Sequence, residues 1–400
     1  GLSMPDAAQV YREAQAYREQ TVACYRQLHR KPETAHNEVE THRFLRGELT
    51  RLGIAFEAPA PNITVGVIDG GLPGATVGLR CDTDALPVQE QTGLPFASEN
   101  PGVMHACGHD AHMAAGLAAA WLLTKRMGRW MGRVKLVFQP AEEGEAGAAE
   151  VIATGLVDDV DVFFGLHVWS PYPSGELRVA PVTVSAAVDM FSIELHGKGG
   201  HGATPERCDD ALVAGAALVT ALQSIVSRRV SPMDEAVLTV GSFHAGTVGN
   251  IIAQDARLRG TVRSLNEQVR RRILQEMERM TRQIAEAYGC EGVLHNRRIS
   301  GVLTNDARAC AIARECAEAL VGRERVGGQQ AMMLGDDFAD YGAVAPYCYG
   351  QVGIADPLKQ TDYAHHNGRF RVDEDVLPLC AAWMALVSVR LAAEWKDGKR

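Results

Sequence analysis

The chemically densest stretch of the chain is MHACGHDAH, residues 104–112. Cys107 and His109 are two positions apart, so in an extended loop their side chains project to the same side and can reach one ion. Thiolate and imidazole suit zinc and neighbouring transition metals. Asp110 is a good N-cap for a helix that would follow. Taken alone, the cluster fits a metal site, a cysteine nucleophile with a histidine base, or a loop that merely contains these residues.

A second stretch, QPAEEGEAGA at 139–148, places two adjacent glutamates directly after the apolar run VKLVF. Sites in α/β folds form where strands end. A metal hydrolase needs one carboxylate on the metal and another that is free to carry protons. Glu142 and Glu143 could divide these two roles, although a solvated acidic loop is the commoner explanation for such a sequence by itself.

Three further places carry residues with weaker signals. His167 lies inside the apolar run GLHVW, where a lone histidine is more often a hydrogen-bonded core residue than a ligand. His365 and His366 stand together in AHHNGRF. Asp82 and Asp84 follow a strand in CDTDALP, where paired acids can orient histidines, bind metal or cap a turn.

The elements that must position these residues alternate between strand and helix. The apolar, β-rich runs at 63–69, 75–82, 134–140 and 160–168 predict strands, and 111–127 predicts a helix between the second and third of them. This alternation predicts an α/β sheet with parallel pairs. The ends of parallel strands meet at one edge, which favours a single site.

The pattern changes near residue 185 to strand, helix, two strands, helix and strand. This βαββαβ order is typical of a ferredoxin-like unit, and the α/β pattern resumes near residue 303. We therefore predict a discontinuous catalytic domain at 1–185 and 303–400, with a mixed, mostly parallel sheet flanked by helices. A ferredoxin-like lid and dimerisation domain is predicted at 186–302.

The bulk composition narrows the class of protein. The length of 400 residues favours two domains. The net charge of −9 argues against general binding to nucleic acid or to anionic membranes. No uninterrupted apolar run long enough for a membrane span and no signal peptide is evident, so we expect a cytoplasmic protein. The nine cysteines are scattered without a CxxC pair, which favours reduced thiols.

One apparent nucleotide motif is excluded. GKGGHG at 197–202 has the glycine spacing of a dinucleotide-binding turn. The acidic residue expected about 20 positions later is missing, and Pro205 interrupts the place where the helix should open.

Taken in order, these pieces resemble the M20 metallopeptidases, and within them the amidohydrolase subfamily of hippurate hydrolases and plant auxin–amino-acid conjugate hydrolases. The resemblance runs nearly end to end. It rests on LHRKPETAHNEVET (28–41), RCDTDALPVQE (80–90), MHACGHDAHMA (104–114), FQPAEEG (138–144), GLHVW (165–169), GKGGHGATPE (197–206), GTVGNIIAQ with RGTVRS (246–264) and HHNGRFRVDE (365–374).

The resemblance implies a site for two divalent metal ions, with zinc, manganese, cobalt and nickel all compatible with the ligands. Cys107 would supply the bridging thiolate. The shell would be completed by His109, Glu143, His167 and His366. We choose His366 over His365 because the family's ligand stands four positions before the phenylalanine, here Phe370.

The resemblance also implies roles around the metals. Glu142 would be the general base, and Asp84 would orient a ligand. His201 and Asn250, from the inserted domain, would reach the substrate. In this family such residues often come from the partner subunit, because that domain forms the dimer interface. We therefore expect a homodimer or a higher homo-oligomer formed through the lid domain.

The expected reaction is hydrolysis of the amide bond of a small-molecule N-acyl amino acid, hippurate or a related conjugate. A dipeptidase or an N-acetyl-amino-acid deacetylase is the alternative within the family. Outside it, the alternatives are a metal-independent cysteine amidase with Cys107 as nucleophile and His105 or His109 as base, or a non-catalytic metal- or peptide-binding relative.

The chain departs from the family pattern near the expected substrate pocket. Gly335-Asp336-Asp337-Phe338 stands where members usually carry Ser-Glu-Asp-Phe, Gly368 and Ala253 replace prolines, and Cys81 replaces a common alanine. None of these changes removes an expected ligand, so they leave the acyl group and the amino acid open.

Overall fold

The computed structural model describes residues 4–144 and 146–395. The chain divides into two compact units. The first comprises Gly1–Val182, Thr304–Gln330 and Asp340–Arg400, and the second comprises Thr183–Leu303 and Ala331–Ala339. The sequence-based division placed all of 303–400 in the larger domain, whereas 331–339 belongs to the second unit. That assignment follows from pairing, because the N–H of Met332 donates to the carbonyl of Val184.

The described residues form these α-helices in chain order: α1 (Ala7–Ala16), α2 (Arg18–Arg30), α3 (Val39–Arg51), α4 (His109–Lys125), α5 (Gly147–Ala153), α6 (Ala211–Ser224), α7 (Glu267–Ala287), α8 (Ala307–Val321) and α9 (Leu377–Glu394). The strands are β1 (Ala55–Ala60), β2 (Ile63–Asp69), β3 (Gly71–Asp82), β4 (Trp130–Gln139), β5 (Val162–Pro173), β6 (Leu177–Arg178), β7 (Thr183–Ser185), β8 (Ala187–His196), β9 (Gly200–His201), β10 (Ala236–Ala245), β11 (Ile251–Ile252), β12 (Asp255–Ser264), β13 (Glu291–Ser300), β14 (Leu303–Thr304), β15 (Val326–Gly327) and β16 (Tyr347–Ala355).

The first unit is built on one mixed sheet with the strand order β1-β2-β4-β3-β5-β16-β6-β15. Its central strands β4, β3, β5 and β16 run parallel, and β1 and β2 are antiparallel additions at one edge. This is the predicted mixed, mostly parallel architecture. The register pairs Asp82 with Gln139 at the carboxyl ends of β3 and β4. The sheet edge where these strands end is therefore where side chains of separate motifs converge.

Helices α4 and α9 bury nearly all of their residues and are major contributors to the core of the first unit. The fully buried Trp383 of α9 donates its indole N–H to the carbonyl of Ala313 in α8. Two helical segments, 211–229 and 374–394, have the length and composition of a membrane span. The second of these is mostly buried inside the first unit, as expected for the core helix of a globular domain.

The second unit has the order β8-α6-β10-β12-α7-β13, which is the predicted βαββαβ sequence of elements. Its antiparallel sheet has the strand order β10-β12-β8-β13. Apolar residues of α6 and α7 pack on one face of this sheet and form a separate core, including Leu218, Ile273 and Met277. The two short strands β9 and β11 form a ribbon of their own.

Candidate metal and catalytic site

The loop before α4 carries the first candidate ligands. Gly108, the residue between Cys107 and His109 in the chain, has φ 85° and forms the N-cap of α4. A Cβ atom at this position would lie 2.3 Å from Cγ2 of Val168. Only glycine satisfies both the left-handed backbone and the close approach to β5. The turn therefore holds Cys107 and His109 against the strand that carries His167.

The structure brings the five predicted ligands together. The donor atoms of Cys107, Glu143 and His366 all lie within 4.8 Å of one another. Nε2 of His167 lies 3.7 Å from Sγ of Cys107. Nε2 of His109 lies 3.7 Å from Oε1 of Glu143. Residues that are up to 259 positions apart thus form one continuous cluster at the carboxyl ends of the central strands.

His366 rather than His365 faces this cluster. Nε2 of His366 lies 3.2 Å from Oε1 of Glu143. Nε2 of His365 instead accepts a hydrogen bond from the N–H of Ser170, and its ring stacks on Trp169 at 4.5 Å. His365 is therefore committed to packing and hydrogen bonding at β5.

Asp84 links the histidine to the glutamate loop. Its Oδ1 lies 3.2 Å from Nδ1 of His109 and accepts the N–H of Glu142 at 3.1 Å, while Oδ2 accepts the N–H of Glu143 at 2.8 Å. A histidine that donates from Nδ1 presents Nε2 as a lone pair. Asp84 therefore orients the candidate ligand His109 and the backbone of Glu142 and Glu143.

Asp82 and His112 build a second set of contacts behind the cluster. Oδ1 of Asp82 lies 2.6 Å from Nδ1 of His112, and Nε2 of His112 accepts the N–H of Val168 at 2.9 Å. Both ring nitrogens of His112 are thus used. Nδ1 of His167 donates to the carbonyl of Val168 at 2.6 Å, which leaves Nε2 of His167 as the nitrogen that faces Cys107.

The carboxylates clustered at this site make it favourable for a cation. Burial lowers the pKa of His109, but Asp82, Asp84 and Glu143 outweigh burial and raise it to about 10. Burial raises the pKa of Glu143, but His366 and His109 lower it to about 2. Burial, reinforced by Glu143 and Glu142, holds the pKa of the Cys107 thiol well above its usual value. In the absence of a metal ion, protonated His109 supplies positive charge that offsets the negative charge of the surrounding carboxylates.

The donor atoms fit a transition metal. Nε2 of His109 is buried with no hydrogen-bond partner among the described residues and lies 3.2 Å from Oδ2 of Asp82. That oxygen of Asp82 also lies 3.3 Å from Nη1 of Arg80. Buried polar atoms without partners are rare in native proteins, and an ion is one of the explanations for them. Zinc and the neighbouring transition metals bind thiolate, imidazole and carboxylate donors, and this cluster contains all three.

His201 and Asn250 lie in the second unit, on the β9–β11 ribbon. His201 pairs with Ile251, and the N–H of Gly202 donates to the carbonyl of Asn250 at 2.8 Å, so the two predicted substrate residues are neighbours. Nδ1 of His201 accepts the N–H of Ala203 at 3.0 Å. The proton of the neutral ring is therefore on Nε2, and the exposed side chain can donate from it.

Sequence reasoning missed two buried residues beside the cluster, Glu38 and His29. The carboxylate of Glu38 accepts the N–H of Ala141, and His29 lies between Asp110 and Glu90. Both stand within the motif at 28–41, which was a signal that the segment matters. No spacing within that motif indicates that its residues contact the first turn of α4 at Asp110 and the loop at Ala141.

The chain is similar to known hydrolases over most of its length. Residues 78–389 match the profile of the family described as peptidase family M20/M25/M40. Thermostable carboxypeptidase 1 of Saccharolobus solfataricus is 37% identical over 373 residues, which are 92% of this chain and 94% of that protein. An N-acyl-L-amino acid amidohydrolase of Geobacillus stearothermophilus is 42% identical over 270 residues, 67% of this chain and 73% of that protein.

A solved structure shares the fold. It is that of a dinuclear metal-binding peptidase of family M20 from Bacillus subtilis, with a TM-score of 0.82 and 30% sequence identity. The match covers 94% of this chain and 99% of that chain. The similarity therefore includes both compact units.

Proposed function

Since the chain belongs to peptidase family M20/M25/M40 and is a metal-dependent hydrolase of C–N bonds, we propose that it cleaves the amide bond of N-acyl amino acids. Hippurate-like compounds, in which an aromatic acyl group is joined to an amino acid, are the substrates we expect. The observation that carries the proposal is the convergence of Cys107, Glu143 and His366 beside a second glutamate, Glu142.

The residues that would hold two divalent ions are Cys107, as the thiolate, with His109, Glu143, His167 and His366. When bound, such ions supply a water of lowered pKa and polarise a carbonyl oxygen. The protein's part is to aim the donor atoms. Asp84 does this for His109, and the Val168 carbonyl does it for His167.

Glu142 is proposed as the general base and then the general acid. Its side chain is largely buried, and Oε2 lies 3.7 Å from Nε2 of His109. The carboxylate takes a proton from the attacking water and returns it to the amine that leaves, so one group serves both steps. Its backbone N–H is fixed by Asp84, which limits the positions that the carboxylate can take.

His201 is proposed to stabilise the oxyanion of the tetrahedral intermediate. Its Nε2–H is a preformed donor because Nδ1 is already occupied by the N–H of Ala203. A donor aimed at developing charge is usually among the largest contributions to catalysis. Asn250, next to His201 on the ribbon, is proposed to bind the substrate.

We propose a homodimer formed through the second unit. Leu212 and Val213 on α6 and Phe243 on β10 are large apolar side chains that are exposed in the single chain. β10 is an edge strand of its sheet. An apolar helix beside an open strand edge is a surface that pairing of two copies would cover. We also propose a cytoplasmic location, which the nine free cysteines favour.

A metal-independent cysteine amidase is the competing function. It would need a Cys107 thiolate near neutral pH without a metal. Burial and the two glutamates hold the pKa of this thiol well above its usual value. Burial and the nearby negative charges therefore favour Cys107 as a metal ligand over Cys107 as a metal-independent nucleophile.

The test is hydrolysis of a panel of N-acyl amino acids by metal-stripped protein, with and without Zn²⁺, Mn²⁺, Co²⁺ and Ni²⁺. The panel includes acetyl, benzoyl, indoleacetyl and aminobenzoyl conjugates, together with dipeptides. Amine release that requires metal, fastest for the aromatic acyl groups, is the expected result. Equal rates in stripped and loaded protein would support the cysteine amidase, and preference for dipeptides or acetyl compounds would reassign the substrate class.

A further inference from the structure

The loop that carries Glu142 and Glu143 begins in an unfavourable backbone conformation. Ala141 has φ 53° and is fully buried. A residue other than glycine keeps a left-handed conformation only where its surroundings impose it. Because Glu142 and Glu143 follow directly, whatever imposes the conformation of Ala141 also sets the direction of both carboxylates.

Glu38 makes the contact that imposes it. Oε2 of Glu38, at the start of α3, accepts the N–H of Ala141 at 2.8 Å. Asp84 accepts the next two N–H groups, those of Glu142 and Glu143. Three successive backbone N–H groups are therefore bound by two buried carboxylates. A run of N–H groups that point to one side forms a concave site for an anion, and here the protein's own side chains fill it.

The segment around Glu38 also packs closely against this loop. A Cβ atom at Gly144 would lie 2.4 Å from Cβ of Ala35. The loop and the residues before α3 are thus in direct van der Waals contact. A shift of one of them would move the other.

Burying the carboxylate of Glu38 costs desolvation free energy, which would be unnecessary if the side chain only filled space. Glu38 is fully buried, and its Oε1 has no hydrogen-bond partner among the described residues. Burial, and then the charge of Asp84, raise the pKa of Glu38 to about 7. An apolar side chain of similar volume would avoid this cost. Oε2 accepts the N–H of Ala141 at 2.8 Å and the hydroxyl of Thr83 at the longer distance of 3.5 Å, and an apolar side chain could make neither contact.

We propose that Glu38 is a positioning residue for the general base: its carboxylate holds Ala141 in the left-handed conformation that aims Glu142 at the reacting water. Glu38 itself touches neither substrate nor metal in this role. The inference rests on the proposed function of Glu142, and it assigns a catalytic consequence to the motif at 28–41.

The test compares four metal-loaded enzymes: wild type, Glu38→Met, Glu38→Gln and Asp161→Leu. Met removes the acceptor at similar volume, whereas Gln keeps a carbonyl oxygen that can accept the N–H of Ala141. Asp161 is the matched control, because its Oδ2 accepts the N–H of Thr76 at 2.9 Å in the middle of β3, six residues before Asp82. For each protein we would measure metal content, Tm, kcat and KM.

We expect Glu38→Met to keep two metals and to lower kcat about 10–100-fold with little change in KM, since a misplacement of about 1 Å in a catalytic group has effects of this size. Glu38→Gln should recover most of kcat, and Asp161→Leu should lower Tm without lowering kcat. If Glu38→Met does not fold, Glu38→Asp, which withdraws the carboxylate by one methylene, should show the same loss of kcat at full metal content.

Three results would overturn the inference. The first is a kcat of Glu38→Met equal to that of Asp161→Leu, and the second is a Glu38→Gln enzyme as slow as Glu38→Met. The third is loss of metal that accounts for all lost activity. Failure of the inference is separable from failure of the proposed function, because an inactive Glu142→Gln enzyme beside a fully active Glu38→Met enzyme would reject only the role of Glu38.

Discussion

Oδ1 of Asp84 lies 3.2 Å from Nδ1 of His109, and the same oxygen accepts the backbone N–H of Glu142. One buried carboxylate therefore joins the helix that begins with His109 to the loop that carries the glutamates. When the ring of His109 is neutral, this contact selects the tautomer in which Nε2 carries the lone pair. Asp84 stands two residues after β3, which pairs with β4, and β4 leads into the glutamate loop.

Replacing Asp84 with Asn should weaken metal binding about 10–100-fold, the usual effect of removing the partner of a ligand histidine. The amide NH₂ of Asn would face a donor, either the Nδ1–H of His109 or a backbone N–H of the glutamate loop. Because two donors then oppose each other, that contact becomes repulsive. Competition for metal against a chelator of known affinity measures the change. Asp161→Asn, which alters a carboxylate far from the site, should bind metal as wild type does. Equal affinity in the two variants would show that Asp84 does not orient His109.

Replacing Glu142 with Gln should leave metal content unchanged and lower kcat by about 10²–10⁴, the range for loss of a general acid–base group. Gln has the volume of Glu but cannot accept the proton. Metal analysis together with steady-state kinetics on the best substrate of the panel checks both parts. Glu150→Gln, a half-exposed glutamate on the following helix, is the control and should keep wild-type kcat. Normal turnover by Glu142→Gln would remove the base from this position.

Metal loading should release protons and strengthen as pH rises. The thiol of Cys107 has a pKa well above its usual value because of burial, Glu143 and Glu142, so it is protonated in the metal-free site. Burial lowers the pKa of His109, but the surrounding carboxylates raise it to about 10, so this ring also carries an extra proton. Both groups must deprotonate to bind metal. Affinity should therefore fall as pH falls.

Calorimetric titration with Zn²⁺ in buffers of different ionisation enthalpy counts the released protons. Near neutral pH the wild type should release about two, one from each group. Cys107→Ser should release about one fewer, since a serine hydroxyl keeps its proton. A wild-type value near zero would mean that the metal-free site already holds a thiolate and a neutral imidazole.

The sequence predicted the architecture because strand and helix periodicity depends on near neighbours, whereas the set of candidate ligands came from the resemblance to the family. Alternating apolar runs indicate the parallel strands, and the end of one of them indicates where Glu142 lies. Contacts between distant segments were not predictable in this way. The pairing of Glu38 with Ala141 joins residues 103 positions apart, and it depends on a left-handed backbone at an alanine, which no propensity favours.

The division into domains shows the same limit. Residues 331–339 continue the α/β part in the sequence, yet they pair with residues near 184 in the second unit. The departure Gly335 lies in this stretch, where a Cβ atom would be 2.6 Å from Cγ2 of Val188. Close packing against β8 therefore explains the glycine. That explanation needs the tertiary contact and could not be obtained from the altered motif alone.

A buried ion pair lies behind the ligand loop. Nδ1 of His29 is 2.7 Å from Asp110, and Nε2 is 2.8 Å from Glu90. Burial lowers the pKa of His29, but the two carboxylates outweigh it and raise the pKa to about 9. The histidine is therefore a buried cation that fixes the first turn of α4, the helix that starts at His109.

This cation should make stability depend on pH in a defined window. Since the folded-state pKa of His29 exceeds the unfolded value near 6.5, its contribution is fully present below about pH 6.5 and is lost as pH rises through about 9. The stability advantage of wild type over His29→Gln should shrink across that window, measured by urea midpoints of metal-saturated protein. His42 is the matched control: burial and then Arg46 lower its pKa to about 3, so it stays neutral there. His42→Gln should therefore differ from wild type by a constant amount, and an equally constant difference for His29→Gln would show that His29 is neutral in the folded protein.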